Sequence, residues 1–382
     1  MAANLLSPAD IPLGLYIHIP WCVKKCPYCD FNSHTLNNAS LPAEEYIAAL
    51  VDNMLSYKSL ISDRTISTIF FGGGTPSLLS GQHIARILEQ VHQHYRVADQ
   101  VEITLEANPG TVEQQKFIDF YQAGINRISI GVQSFQDHHL QALGRIHYGQ
   151  EAKRAIESAQ RAGFQNINID LMYALPNQSI EAALLDLQTA MSFGTPHLSW
   201  YQLTIEPHTA FYHKPPIVPT DSYIVDMEIA GHAYLQEHGF TSYEISAWSR
   251  DTLSRCQHNY QIWQYGDYLG IGAGACGKIT QEQAIIRTTQ TKHPQNFMHK
   301  RHAINDTLVD PAARLFEYML NHLRLKEDLS YQHYQARTGG EIDPILAILK
   351  TLPAEYIRQR PDGFTLTPQG HRFYNEVVAA FL

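Results

Sequence analysis

The sequence predicts an α/β fold, an open partial (β/α)6 barrel of the TIM type, followed by a smaller C-terminal α+β region. Three observations predict it. Six short β-rich runs, at residues 15–19, 66–71, 101–106, 127–131, 167–172 and 198–204, alternate with stretches whose apolar residues recur at three- and four-residue intervals. That alternation implies a parallel sheet with helices outside it, and six units are too few for the full eight-unit barrel. Cysteines, glycines and isolated polar residues fall just past, or close to, the C-terminal ends of successive runs, the face on which barrel sites are built.

The first run leads into Cys22, Cys26 and Cys29. Three thiolates from one short loop can hold a metal centre and leave one of four positions open, whereas structural zinc closes its shell with four protein ligands. An iron–sulfur cluster held by three thiolates has one iron free for another ligand. A zinc knot or unligated thiols are the alternatives that the spacing leaves open. Pro27 and the apolar run before it disfavour a helix across the triplet. A helix is then expected from Tyr46, Ile47, Leu50, Met54 and Leu55.

The second run ends in Gly72-Gly73-Gly74-Thr75-Pro76, where backbone amides can approach a ligand without side-chain obstruction. It has neither the Lys-Ser/Thr of a phosphate loop nor dinucleotide-binding spacing. Ile84, Ile87, Leu88, Val91 and Tyr95 mark the next helix, and Glu106 closes the third run. Gln133 follows the fourth and offers both a donor and an acceptor, and Arg145 offers a fork suited to a carboxylate. Asp170 stands in the fifth among apolar residues, where an unpaired charge is costly.

Of the 382 residues 44% are hydrophobic and 17% charged, and the net charge of −9 with no basic run argues against nucleic acid as a partner. No secretory leader and no apolar run of membrane-spanning length is evident, and five cysteines, three of them clustered, fit a reducing cytoplasm better than a disulfide framework.

The C-x3-C-x2-C triplet preceded by Tyr16-Ile17-His18-Ile19-Pro20 resembles the signature of radical S-adenosylmethionine (SAM) proteins. The resemblance implies a [4Fe-4S] cluster on Cys22, Cys26 and Cys29, with SAM chelating the open iron and yielding a 5′-deoxyadenosyl radical on reduction. It implies SAM contacts at Tyr16, Tyr28, Gly73, Gly74, Thr75, Glu106, Gln133, Arg145 and Asp170.

Within that family the chain is most similar to the coproporphyrinogen-dehydrogenase-like group, which holds both decarboxylating enzymes and heme chaperones. The enzymes carry a further cysteine two residues past the third, where this chain has Phe31, and a long segment before the cluster motif, where this chain has fifteen residues before Tyr16. The segment from His258-Asn259 to Trp263 resembles the heme-associated motif of the chaperones, with Ile262 where tyrosine is usual. The expectation is therefore a heme chaperone with heme at His258. Its implied partners are a heme-accepting protein, such as a membrane-bound respiratory protein, and a second copy of the chain. Oxygen-independent dehydrogenation of coproporphyrinogen III is the alternative. Cys256 and Cys276, the latter where relatives commonly have histidine, are either alternative heme ligands or simply small buried side chains.

The expected division is a barrel over residues 1–240, a heme-motif extension over 241–306 and a winged-helix-like domain over 307–382. The last rests on Leu315, Phe316, Met319, Leu320 and Leu323 at helical intervals and on a short strand from Gly363 ahead of Pro368.

Overall fold

A computed structural model describes residues 6–36, 40–299 and 305–382. Six strands alternate with six main helices in strict order. They are β1 (Leu13–Ile19), α1 (Ala43–Ile61), β2 (Thr65–Gly73), α2 (Gly81–His94), β3 (Arg96–Ala107), α3 (Gln114–Gln122), β4 (Arg127–Gln133), α4 (Gly149–Arg161), β5 (Asn166–Tyr173), α5 (Ile180–Met191), β6 (His197–Gln202) and α6 (Asp221–Glu237). The six strands lie side by side in sequence order and all pair in parallel. Their nearly continuous apolar runs are buried on both faces, as parallel strands under helices must be.

The helices follow the expected periodicity with one departure. Tyr46, Ile47, Leu50 and Met54 of α1 are buried, but Leu55 is 44% exposed, one position round the helix from the core stripe. Strand β3 is longer than expected: residues 96–100 continue it backwards past a register shift in its pairing with β2.

The sheet does not stop at six strands. On one edge β8 (Ala247–Ser249) adds antiparallel to β6, and β7 (Thr241–Ser242) adds antiparallel to β8. A helix α7 (Gln257–Trp263) then crosses to the other edge, where β9 (Asp267–Ile271) pairs in parallel with β1. Three further strands, β10 (Cys276–Thr280), β11 (Ile285–Thr289) and β12 (Asn305–Leu308), complete a 12-stranded sheet. Residues 241–308 therefore extend both edges of one sheet, with seven parallel strands at its centre.

At the start of β9 the Asp267 carboxylate is buried and fully used. It accepts from Arg64 Nη1 at 2.7 Å, Lys278 Nζ at 2.7 Å, and the amide and hydroxyl of Thr280 at 2.8 Å each. Lys278, only 1% exposed, also donates to the Tyr265 carbonyl.

The C-terminal region runs helix α8 (Arg314–His322), β13 (Leu329–Ser330), helices α9 (Tyr331–Thr338) and α10 (Asp343–Leu349), then β14 (Ile357–Arg360) and β15 (Gly363–Leu366). Helix–strand–helix–helix–strand–strand is the order of a winged helix, and its three strands form a sheet of their own in the order β13-β15-β14. It has a separate apolar core, to which Leu6, Tyr265 and Ile285 contribute. Leu320 of α8 points outward, 43% exposed.

Candidate functional site

The cysteine loop is pinned at its base. Trp21 and Cys22 pair in parallel with His34 and Thr35, and the Leu36 amide donates to the Cys22 carbonyl at 3.1 Å. Asn32 fastens the loop tip sideways, its Nδ2 donating to the carbonyls of Ala273 at 2.9 Å and Lys292 at 2.8 Å. His18 ties it to β1: Nε2 meets the Asn32 carbonyl at 2.9 Å, an acceptor only, so Nε2 carries the proton and Nδ1 accepts from the Tyr16 hydroxyl.

The three cysteines and every residue expected to contact SAM except Tyr16 line one cavity of about 400 Å³ at the C-terminal ends of the strands. Among the described residues, no three His, Cys, Asp or Glu side chains converge as ligands of a single ion. A polynuclear cluster does not require such convergence, because each sulfur binds a different iron. All five cysteines are free thiols.

Around this cavity each element has an identifiable role. The glycine run is dictated partly by its neighbours: a Cβ on Gly73, at φ +113°, would come 2.5 Å from the His18 ring, and one on Gly74 would come 2.5 Å from the Trp21 carbonyl oxygen. The Gly73 amide donates to Glu106 at 3.2 Å. At Gln133 the pairing of β4 with β5 shifts register and the backbone turns to φ +68°, sparsely populated for a side-chain-bearing residue. Its amide oxygen, turned into the cavity, accepts from Tyr201 at 2.5 Å. Arg145 reaches the Gly131 carbonyl at 2.7 Å and the Cys26 sulfur at 3.6 Å. Its positive charge therefore sits against the thiol group. Asp170 accepts from Ser129 at 2.9 Å and Asn168 at 2.8 Å.

Burial, then the neighbouring Asp170 charge, lifts the Glu106 pKa from 4.5 to about 8, partly opposed by the Gly73 amide. An acid raised in the folded state binds a proton that the unfolded chain has already lost. Its stabilising contribution is thus complete below pH 4.5 and falls away as pH rises towards 8. Glu106→Gln escapes this loss. The ligand-free variant is expected to gain on wild type by about 2–4 kcal/mol between pH 4.5 and 8, read from denaturant midpoints. A gap between the two that does not change with pH would refute the assignment.

Two family models match the chain: the radical SAM superfamily over residues 16–188 and the HemN C-terminal domain over residues 309–373. The chain is 46% identical over 373 residues to the heme chaperone HemW of Escherichia coli K12, covering 97% of this chain and 98% of that one. It belongs to the HemW family. The Bacillus subtilis HemW is 32% identical over 379 residues, covering 96% and 98% of the two chains. A mitochondrial radical SAM domain-containing protein 1 of Bos taurus is 34% identical over 343 residues, covering 86% of this chain and 77% of that one. The solved coproporphyrinogen III oxidase HemN of Escherichia coli superposes with a TM-score of 0.83 over 99% of this chain and 92% of that one. At 21% identity that establishes the shared fold alone.

Two expected site residues of this HemW-family protein stand back from the cavity. Tyr16 lies behind the wall, its ring stacked near Phe70 and His258. His258 is 2% exposed in α7, stacked on Phe70 at 5.1 Å between centroids, with Nδ1 on the Thr68 hydroxyl at 2.9 Å. Burial lowers its pKa to about 3, so the ring is neutral. Its Nε2 is buried with no hydrogen-bond partner. The chemistry fits an iron ligand, but here Asn259 and Trp263, not His258, face the cavity.

The cavity continues beyond the expected residues, down the barrel lumen. Arg127, Ser129, Asn168, His197 and Ser199 line it, with Tyr243 at the far end. A chain of hydrogen bonds runs from Asp170 through Ser129 and Asn168 to His197 and Tyr243. The Asn168 side-chain oxygen accepts from His197 Nδ1 at 2.6 Å, so Nε2 accepts from the Tyr243 hydroxyl at 2.9 Å. The signal for these residues was present as strand alternation, 127, 129, 131 and 133 sharing one face.

Proposed function

We propose that this protein binds heme and passes it to an acceptor protein, using a [4Fe-4S] cluster on Cys22, Cys26 and Cys29 with exchangeable SAM. The observation that carries the reading is the identity to proteins named heme chaperone HemW across essentially the whole chain. Phe31, 58% exposed where the decarboxylating enzymes have cysteine, supports it.

The cavity supplies the groups that SAM needs. Glu106 and the amides of the glycine run suit an ammonium and hydroxyls, Arg145 suits a carboxylate, and Gln133 and Asp170 offer directed polar contacts. When bound, the cluster and SAM supply one-electron reductive chemistry. The chain's own part is to hold the thiolates beside Arg145 and to present SAM's polar groups to buried partners. We place heme next to α7, with His258 as its iron ligand once the ring turns from Phe70. The free thiols fit a reducing cytoplasm, and among the described residues no helix is long and apolar enough to cross a membrane. We further propose a division at residues 240 and 306, a membrane-bound respiratory protein as acceptor, and a homodimer. The separate apolar core of the C-terminal region supports the second boundary.

Anaerobic reconstitution followed by two assays on one sample tests the function. Hemin titration is expected to saturate at a fixed stoichiometry, weakened about tenfold or more in His258→Ala. Unchanged affinity in that variant removes His258 from the site. Catalytic conversion of coproporphyrinogen III in the presence of SAM and reductant would show the alternative, a dehydrogenase, to be right.

A further inference from the structure

The lumen has a second cationic end. Arg127 opens β4 and lies on the same face as Ser129, Gly131 and Gln133, all four lining the cavity. Six residue-to-residue steps along the strand take it to Gln133, about 20 Å at a rise of about 3.3 Å per residue. Arg127 is thus far from the cysteine loop and from Arg145, which already serves Cys26 and Gly131.

Arg127 is only 2% exposed, yet among the described residues its guanidinium makes no hydrogen bond and no ion pair, and its Nε is buried without a partner. Cys256, Glu102, Tyr243 and Asp170 act on it through space. Both carboxylates are engaged elsewhere. Glu102 accepts from the amides of Gln257 and His258 at 3.0 Å each, holding the start of α7, and faces the Cys256 thiol. Asp170 accepts from Ser129 and Asn168.

A buried guanidinium without an acceptor is costly, and its planar fork matches a carboxylate through two parallel hydrogen bonds. The surroundings suit the rest of a flat aromatic ligand. Trp263 of α7 lines the same end of the cavity, with the Arg324 guanidinium 4.3 Å from its ring centroid and reaching Glu244 at 3.4 Å. Asn259 and Tyr243 complete the wall.

We propose that Arg127 binds a carboxylate of a ligand lying in the lumen, a propionate of heme, at the end of the barrel opposite the cysteine loop. The inference rests on the heme-binding reading above and adds where the acidic edge of the porphyrin is held. If instead Arg127 only balances Glu102 and Asp170, heme binding owes nothing to its carboxylates through this residue.

The test compares hemin with hemin dimethyl ester, in which both propionates are masked, on the full-length reconstituted protein as wild type, Arg127→Gln and Arg127→Lys. Wild type is expected to prefer hemin over the ester by about tenfold or more. Arg127→Gln is expected to lose about 10–100-fold in hemin affinity while binding the ester as wild type does, so that the preference disappears. Arg127→Lys keeps the charge without the fork and falls between them. Cluster absorption and circular dichroism report whether each variant is folded. Should Arg127→Gln not fold, the same comparison is made with Arg127→Lys, which must weaken hemin more than the ester. Wild type binding hemin with no preference over the ester overturns this inference and leaves the heme reading intact, as does a folded Arg127 variant that keeps full preference. Wild type binding no hemin overturns both.

Discussion

Replacing any one of Cys22, Cys26 or Cys29 with alanine is expected to abolish the visible iron–sulfur absorption of the anaerobically reconstituted protein. Iron and acid-labile sulfide fall together with it. The triplet supplies three thiolates, the loop is closed behind them by the Cys22–Thr35 pairing, and no other cysteine lies within the loop to substitute. Cys256 is buried beside Glu102, and Cys276 starts β10 on an exposed position. Alanine at either of those two is expected to leave iron and sulfide unchanged. Any triplet variant that keeps both in full shows the ligand set to be wrong.

Asp267→Asn costs the fold about 3–5 kcal/mol. The carboxylate is the shared acceptor of Arg64, Lys278 and both donors of Thr280. An amide keeps one acceptor oxygen and turns an NH2 group towards donors. Lys278, 1% exposed, is then left with its charge uncompensated. The thermal midpoint is expected to drop by roughly 4–6 °C. Adding Lys278→Met, which removes the stranded charge, recovers part of the loss. A single variant as stable as wild type would mean that Arg64 and Lys278 find other acceptors.

Much of this was legible in the sequence because it is local. Parallel strands buried on both faces show up as short β-branched runs, and the helices between them as Ile84, Ile87, Leu88 and Val91. Site residues follow strand ends, so finding the strands found most of them. What escaped depends on pairing between distant segments. Nothing near residue 267 says that β9 will lie parallel to β1, about 250 residues earlier in the chain. The burial of His258 follows from α7 packing over Phe70 and Thr68 of β2, a contact no local pattern encodes. The glycines at 73 and 74 suggest a ligand's approach in the sequence, whereas His18 and Trp21 already require them in the fold. In one dimension Arg127 is merely the first residue of a strand, and no local pattern marks it.

The side chain of Asn32 bridges the loop that carries Cys26 and Cys29 to carbonyls at Ala273 and Lys292, on either side of β10 and β11. Those strands follow directly from the segment carrying α7. Two regions fastened in this way share one free-energy account: whatever orders the cysteine loop favours one arrangement of the strands beyond it, and a ligand that favours that arrangement must tighten the loop by the same amount. With heme beside α7 as proposed above, cluster loading and heme binding are expected to form a reciprocal pair, each measurable as a change in the affinity of the other.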